Sequence, residues 1–313
     1  MTLKEEMLKY LIMEGPALKD GNRFWNIANR KFLYMTPALA QGFLNLRDHP
    51  RYRELVINKE IELLNKNKDK IVSEIEEDSF NLIDMGCADG TKVKVFISLF
   101  KDKKRNIRFC PASINQFLID KTLEAVKAEN FSNVKESKGF RECFVSLDKI
   151  ISEVRGGEYQ KSTVLLLGSI LASFDINEYL FNVSNAMLPG DRLIIGNGIR
   201  EGERLVNLET YKSPLFNAWF IHLMKELGFS EDEVEYGVRF NHIRIEMFYK
   251  IKKDREFEYG GKKILFRAGD EIMVAKLYKY FKEELEKFCK MYFKDVEVLT
   301  DDSGEYAIVL CEK

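Results

Sequence analysis

Cysteine, histidine and tryptophan are scarce in this chain. Five cysteines are scattered from Cys87 to Cys311 with no C-x-x-C pair, and His49, His222 and His242 keep no ligand spacing with one another or with a cysteine. That excludes a zinc finger or a disulfide framework and leaves reduced thiols in a cytoplasmic protein as the expectation. An excess of either charge is also missing: 49 Lys+Arg stand against 50 Asp+Glu, a net of −1 over 313 residues. Nucleic-acid binding needs a basic face that displaces counterions, so no polyanionic partner is expected. No apolar run reaches the roughly 18 residues of a membrane-spanning helix. The opening MTLKEEMLKYLIMEG is too charged for a secretory signal. There is no internal repeat, no G-x-G-x-x-G fingerprint, no G-x-x-x-x-G-K-[ST] loop and no catalytic triad.

What remains is the make-up of a soluble globular protein, 45% hydrophobic and 32% charged, long enough for one large domain or two ordinary ones. Ile57, Ile61, Leu64, Ile71, Val72 and Ile75 recur at near-helical spacing and predict an amphipathic helix over 57–75. Short apolar strands are expected at Asn81–Met85, Ile107–Cys110, Val164–Leu167 and Arg192–Gly196. Helices are expected between them at Val93–Phe100, Gln116–Ala128 and Ile176–Met187. This alternation is that of an α/β doubly wound sheet covered on both faces. Farther on, the pattern predicts helices over Pro214–Leu227 and Glu271–Tyr292 and a strand over Ile243–Ile251. It also predicts a hairpin turning at Gly260-Gly261, and a terminal antiparallel pair, Val296–Leu299 with Tyr306–Cys311.

The strongest local signal is Leu82-Ile-Asp-Met-Gly-Cys-Ala-Asp-Gly-Thr-Lys92. A glycine ending a strand allows a tight turn and a close backbone approach to a ligand, and the next helix offers free N–H groups. The D-x-G-x-x-x-G turn resembles the first motif of class I S-adenosylmethionine-dependent methyltransferases.

Other landmarks extend the likeness over about residues 31–311, where the chain resembles the histidine-specific Nα-methyltransferases of the ergothioneine pathway. They are Lys31–Tyr34 followed by Glu60, Asp84–Lys92, Phe109-Cys-Pro-Ala-Ser-Ile114, Leu166-Leu-Gly-Ser169 and Leu188–Gly196. Phe216-Asn217, Arg244–Met247 and Gly269–Ile272 complete the series. The resemblance implies a Rossmann-like core at 60–196 and 276–313, with a smaller α+β substrate lobe from 1–59 and 197–275. It implies S-adenosylmethionine as cofactor, contacted at Tyr34, Gly86, Cys87, Ala88, Lys92, Ser113, Gly139, Phe140 and Gly168. Substrate contacts would fall at Leu55, Ser173, Tyr211, Met247, Ala275 and Leu277.

Several family side chains are exchanged. The ribose-binding aspartate falls on Ser113, with Asn115 as a possible substitute, and the adenine-reading acid of Gly-Asp-Phe falls on Gly139. The asparagine that helps hold the amino acid falls on Ser173, and a tyrosine falls on Leu55. The glutamate and serine that grip the imidazole from one strand fall on Ala275 and Leu277. A zwitterion in such a pocket would leave its charges unpaired. The expectation is therefore N-methyl transfer to a small molecule or peptide other than free histidine, with no metal and no catalytic acid–base group. The alternative is an inactive relative that binds a ligand or a partner. Tyr34 and Tyr211 would orient the amine and Met247 would form an apolar wall.

Overall fold

Six of the seven residues of Ser79–Met85 are buried, Asn81 and Asp84 among them, and a strand with no exposed face belongs between neighbours in a sheet covered on both sides. The computed structural model describes residues 2–19, 21–200 and 208–313. Along the chain the strands are β1 Ala17–Lys19, β2 Asn22–Asn26, β3 Ser79–Met85, β4 Asn106–Ala112, β5 Val134–Ser137, β6 Lys161–Leu166 and β7 Arg192–Gly198. They continue as β8 Val234–Asn241, β9 Arg244–Ile251, β10 Arg255–Tyr259, β11 Lys262–Phe266, β12 Glu271–Tyr278, β13 Lys294–Thr300 and β14 Tyr306–Glu312. Contacts divide the chain into two compact units, Met1–Leu46 with Asn207–Tyr278, and Arg47–Val206 with Lys279–Lys313. No helix among the described residues is long and apolar enough to cross a membrane.

The larger unit is a seven-stranded sheet in the order β13-β14-β7-β6-β3-β4-β5. β3 to β7 run parallel, and β14 and β13 close the edge as an antiparallel pair. This is the class I methyltransferase arrangement. β3 pairs with β4 on one side and with β6 on the other, so strand order reverses at its carboxyl end, where ligands of doubly wound sheets bind. The crossover helices are Thr91–Ser98, Gln116–Ala128, Leu147–Val154 and Ile176–Ala186. Phe80, Leu82, Phe96, Phe100, Phe109, Ile194 and Ile308 belong to one contiguous core.

The smaller unit has a five-stranded sheet, β1-β2-β12-β9-β8, and the separate hairpin β10–β11. Gly260 and Gly261 turn that hairpin at φ +58° and +74°, values that favour glycine. In β9, Ile245, Met247, Tyr249 and Ile251 are buried on one face. The helix Pro214–Leu227 buries Phe216, Trp219, Phe220, Leu223 and Met224. The Tyr249 hydroxyl donates to Asn217 Oδ1 of that helix at 2.8 Å.

Two expectations are corrected. Glu271–Tyr292 is not one helix but the strand β12 followed by the helix Lys282–Lys290. Ile272, Met273, Val274 and Ala275 are consecutive and all buried, so both faces of β12 are covered, and the strand pairs with β2 and β9 on its two edges. A short apolar run of this kind has no period that separates strand from helix. The helix expected at 57–75 is divided at Asn67 into Lys59–Lys66 and Lys68–Glu74, after a π-helical stretch at Arg53–Asn58.

One buried carboxylate ties these parts of the larger unit together. Glu60 is fully buried; its Oε1 accepts from Gly168 N at 2.9 Å, and its Oε2 pairs with Lys92. A methyl group on Gly196 would stand 1.7 Å from Glu60 Oε1. Gly196→Ala must therefore expel Glu60 and break a buried ion pair, at an expected cost of about 3 kcal/mol or more. Urea denaturation of the variant against the parent measures it, and a loss below ~1 kcal/mol would contradict the arrangement.

Candidate functional site

The chain leaves β3 through Asp84 and Met85 and turns at Gly86, whose φ of +81° disfavours any side chain. Space demands glycine as well, since a Cβ there would meet Phe144 Cε1 at 2.5 Å and Ile170 Cδ1 at 2.6 Å. Gly86 N and Cys87 N both donate to Ala112 O, at 2.9 and 3.1 Å, which fixes the turn against the end of β4. Gly90, at φ +80°, then starts the helix Thr91–Ser98, with Thr91 N donating to Asp89 Oδ1 at 3.0 Å.

An open hollow lies here, lined by Arg47, Asp84, Gly86, Cys87, Ala88, Asp89, Gly90, Lys92, Val93 and Leu167. Its walls are charged yet nearly closed to water. Arg47 donates to both carboxylate oxygens of Asp89, through Nε at 3.3 Å and Nη2 at 2.8 Å. Burial pushes the Asp89 carboxyl up, but the Arg47 charge and the Thr91 N–H bring it below its ordinary value. Lys92, buried and paired with Glu60, is shifted below the ordinary lysine value chiefly by burial. Asp84 is pushed up to about 7 by burial, against the pull of Lys92 and Arg47. The Cys87 thiol is buried and raised well above its usual range, which makes it a wall and not a nucleophile.

On the side of β4 and β5, Ser113 N donates to Phe140 O at 3.1 Å, so two expected contacts adjoin. Ser113 Oγ accepts from Asn115 N, and Asn115 Oδ1 caps the helix Gln116–Ala128 by accepting from Phe117 N at 3.0 Å. The carboxamide oxygen of Asn115 is thus committed to the cap. Gly139 carries no side chain for a packing reason: a Cβ would stand 2.4 Å from Ile119 Cγ2. On the β6 side, Gly168 turns at φ +82° and a Cβ there would meet Lys92 Nζ at 3.0 Å. Leu55 lies half-buried in the π-helical stretch, and Ser173 ends a 3₁₀ turn at Leu171–Ser173.

The remaining expected residues belong to the smaller unit. Tyr34 is buried in an aromatic cluster with Phe43 and Trp219, at centroid distances of 5.1 and 5.8 Å. Tyr211 lies 5.1 Å from the Phe216 ring, and its carbonyl accepts from the Tyr236 hydroxyl. Met247 and Ala275 are register partners, and Leu277 pairs with Ile245, which places all of them on one sheet face. The chain thus brings Gly86, Cys87, Ala88 and Lys92 to one hollow, with Ser113, Gly139, Phe140 and Gly168 on adjacent strand ends.

Sequence reasoning gave no role to three charged members of that hollow. Asp84 and Asp89 lay inside the quoted motif without a role, and Arg47, 42 positions before Asp89, gave no signal. It also missed Glu246, which accepts from Arg239, Asn241 and Arg244 at 2.7–3.0 Å and straps β8 to β9.

The site geometry can be set beside known proteins. A family model described as histidine-specific methyltransferase, S-adenosylmethionine-dependent, matches residues 41–313. Ergothioneine biosynthesis protein 1 of Schizosaccharomyces pombe is 24% identical over 182 residues, spanning 56% of this chain and 23% of that protein. Among solved structures, a possible exported protein from Bordetella parapertussis is 12% identical with a TM-score of 0.48, covering 91% of this chain and 82% of the other. The PH0226 protein from Pyrococcus horikoshii OT3 is 13% identical with a TM-score of 0.44, covering 85% of this chain and 93% of the other.

The raised Asp84 carboxyl has a measurable consequence. Its folded value near 7 exceeds the ordinary 3.8, so the native protein holds an extra proton between them and loses stability as pH climbs through that window. Asp84→Asn removes the loss. In urea denaturation without ligand, the variant should match the parent at pH 4 and exceed it by roughly 2–4 kcal/mol at pH 8. Equal stability at pH 8 would refute the assignment.

Proposed function

We propose, starting from the fact that the chain belongs to the histidine-specific, S-adenosylmethionine-dependent methyltransferase family, that it methylates a nitrogen of a substrate other than free histidine. The observation that carries the cofactor half is the Gly86 turn at the switch point of the sheet, with a buried carboxylate, Asp84, on the wall of the hollow it encloses. A buried acid left near neutrality is what an incoming cation would ionise, and the cofactor brings an ammonium and a sulfonium.

The residues present fit that group. Asp84 and the backbone of Gly86 to Ala88 would hold its amino-acid end, and Ser113 and Phe140 its nucleoside end. With Gly139 packed against Ile119, the nucleoside is held without the acid found elsewhere in the family, so backbone and aromatic contact carry more of the binding. When bound, the cofactor supplies a methyl group activated by the adjacent positive sulfur. The chain's part is to bind, to align and to keep water out, which is where such transfers gain most of their rate.

Ala275 and Leu277 support the substrate half. Beside Met247 they make an apolar strip of sheet where the family presents a glutamate and a serine. An imidazole placed there would lose its hydrogen-bond partners, whereas an apolar or peptide-borne amine would not. Tyr34 and Tyr211 would orient the acceptor nitrogen, with Leu55 and Ser173 as further contacts.

Calorimetric titration with S-adenosylhomocysteine, followed by transfer of labelled methyl from S-adenosylmethionine, tests both halves. The expected outcome is saturable binding, label in a peptide or small amine, and no turnover of free histidine. Binding without transfer to any acceptor in a whole-cell extract would favour a non-catalytic ligand-binding role. Absence of binding at millimolar concentration would overturn the cofactor assignment.

A further inference from the structure

The charges around the hollow beside Gly86 are uneven. Three carboxyls, Asp84, Asp89 and Glu60, meet two cations, Arg47 and Lys92, so the set carries one excess negative charge when every group is ionised. Arg47 is paired with Asp89, and Lys92 with Glu60. Asp84 is the third acid of a set that two cations balance only in part. It ends β3 on the wall of the hollow and is 8% exposed. Its carboxyl feels burial and the charges of Lys92, Arg47, Glu60 and Asp89, and no hydrogen bond is among these influences. The Cys87 thiol, which feels the Asp84 charge, is itself held protonated by burial.

A buried carboxylate in excess of its cations is costly, and a proton on it removes the charge. A ligand that brings a positive charge within hydrogen-bond reach reverses the preference, because the ion pair favours the ionised form. An ionised carboxylate only accepts hydrogen bonds and an ammonium only donates them, whereas a sulfonium has no N–H or O–H to offer. The ammonium is therefore the part of the cofactor that matches Asp84. The proton that Asp84 loses finds no acceptor in the set. Asp89 is held below its ordinary value beside Arg47 and the Thr91 N–H, and Glu60 is engaged by Lys92 and by Gly168 N. The proton leaves through the open side of the hollow.

We propose that Asp84 receives the cofactor's ammonium as a carboxylate and gives up a proton to solvent in doing so, which makes cofactor binding and proton release one event. The inference rests on the reading of the hollow as the S-adenosylmethionine site and adds a regulation of that site by pH. The sign follows from the proton count. While Asp84 of the free protein is protonated, the complex holds fewer protons, so affinity rises with pH by up to about tenfold per unit. It levels off once the free carboxyl is ionised, above about 7.

The test counts protons. Full-length protein is titrated calorimetrically near pH 6.5 in two buffers of different ionisation heat, first with S-adenosylhomocysteine. The second ligand is 5′-S-(3-carboxypropyl)-5′-thioadenosine, which keeps the nucleoside, the sulfur and the carboxylate and lacks the ammonium. The parent should release about 0.5–0.8 proton with the first ligand and none with the second. Its affinity for S-adenosylhomocysteine should rise about tenfold between pH 6 and pH 8. Asp84→Asn should show neither the release nor the rise. Where that variant binds too weakly to titrate, the two ligands on the parent decide the matter. No release with S-adenosylhomocysteine, equal release with both ligands, or a release that persists in Asp84→Asn would overturn the linkage alone. Failure of the parent to bind S-adenosylhomocysteine at millimolar concentration would overturn it together with the cofactor reading.

Discussion

The buried ion pair of Glu60 and Lys92 is the constraint on which the larger unit depends. Glu60 is fully buried and Lys92 nearly so, and each charge is tolerable there because the other is in place. Glu60 comes from the helix Lys59–Lys66, Lys92 from the helix that follows the glycine turn, and Gly168 N from the loop after β6. Three elements far apart in sequence are thereby locked at the carboxyl ends of β3 and β6. The lack of a side chain at Gly196 is part of the same arrangement, because the carboxylate lies where its Cβ would be. The edge of the hollow beside Gly86 is built on this contact.

Electrostatics and space divide the work around Gly86. The turn is dictated by a positive φ and by Phe144 and Ile170 closing on its α-carbon. The charges near it are mostly neutralised in pairs, Arg47 with Asp89 and Lys92 with Glu60, which leaves Asp84 as the buried carboxyl held near neutrality. An apolar cavity would hold a zwitterion poorly, and an uncompensated one would not stay folded. A hollow with paired charges and one titratable acid meets both requirements.

The residues at positions 115, 139 and 275 are set by local packing. Gly139 is small because Ile119 of the helix Gln116–Ala128 lies against it, and Asn115 is engaged in capping that same helix. Ala275 and Met247 are register partners on a buried sheet face, and a carboxylate placed there would meet carbon.

Much of the sheet was legible in the sequence. Strand–turn–helix alternation marks β3, β4, β6 and β7, the Gly-Gly turn marks β10–β11, and the Asp301-Asp-Ser-Gly304 turn marks the final hairpin, because period and turn chemistry are local properties. The glycine turn was legible for the same reason. β12 was not, since four consecutive buried apolar residues look alike in a strand and a helix, and only the neighbours β2 and β9 decide between them. β8, with half-buried residues along most of an edge, lacked the clean alternation that would have revealed it. Arg47 was invisible because nothing in its own surroundings says that Asp89, 42 residues later, will stand beside it. By itself the sequence determined the order of the elements from β3 through β4 and β6 to β7 and the position of the turn. The tertiary structure decided which charges meet there and which strand presents Ala275 and Leu277, because burial and pairing of charge depend on contacts between distant segments.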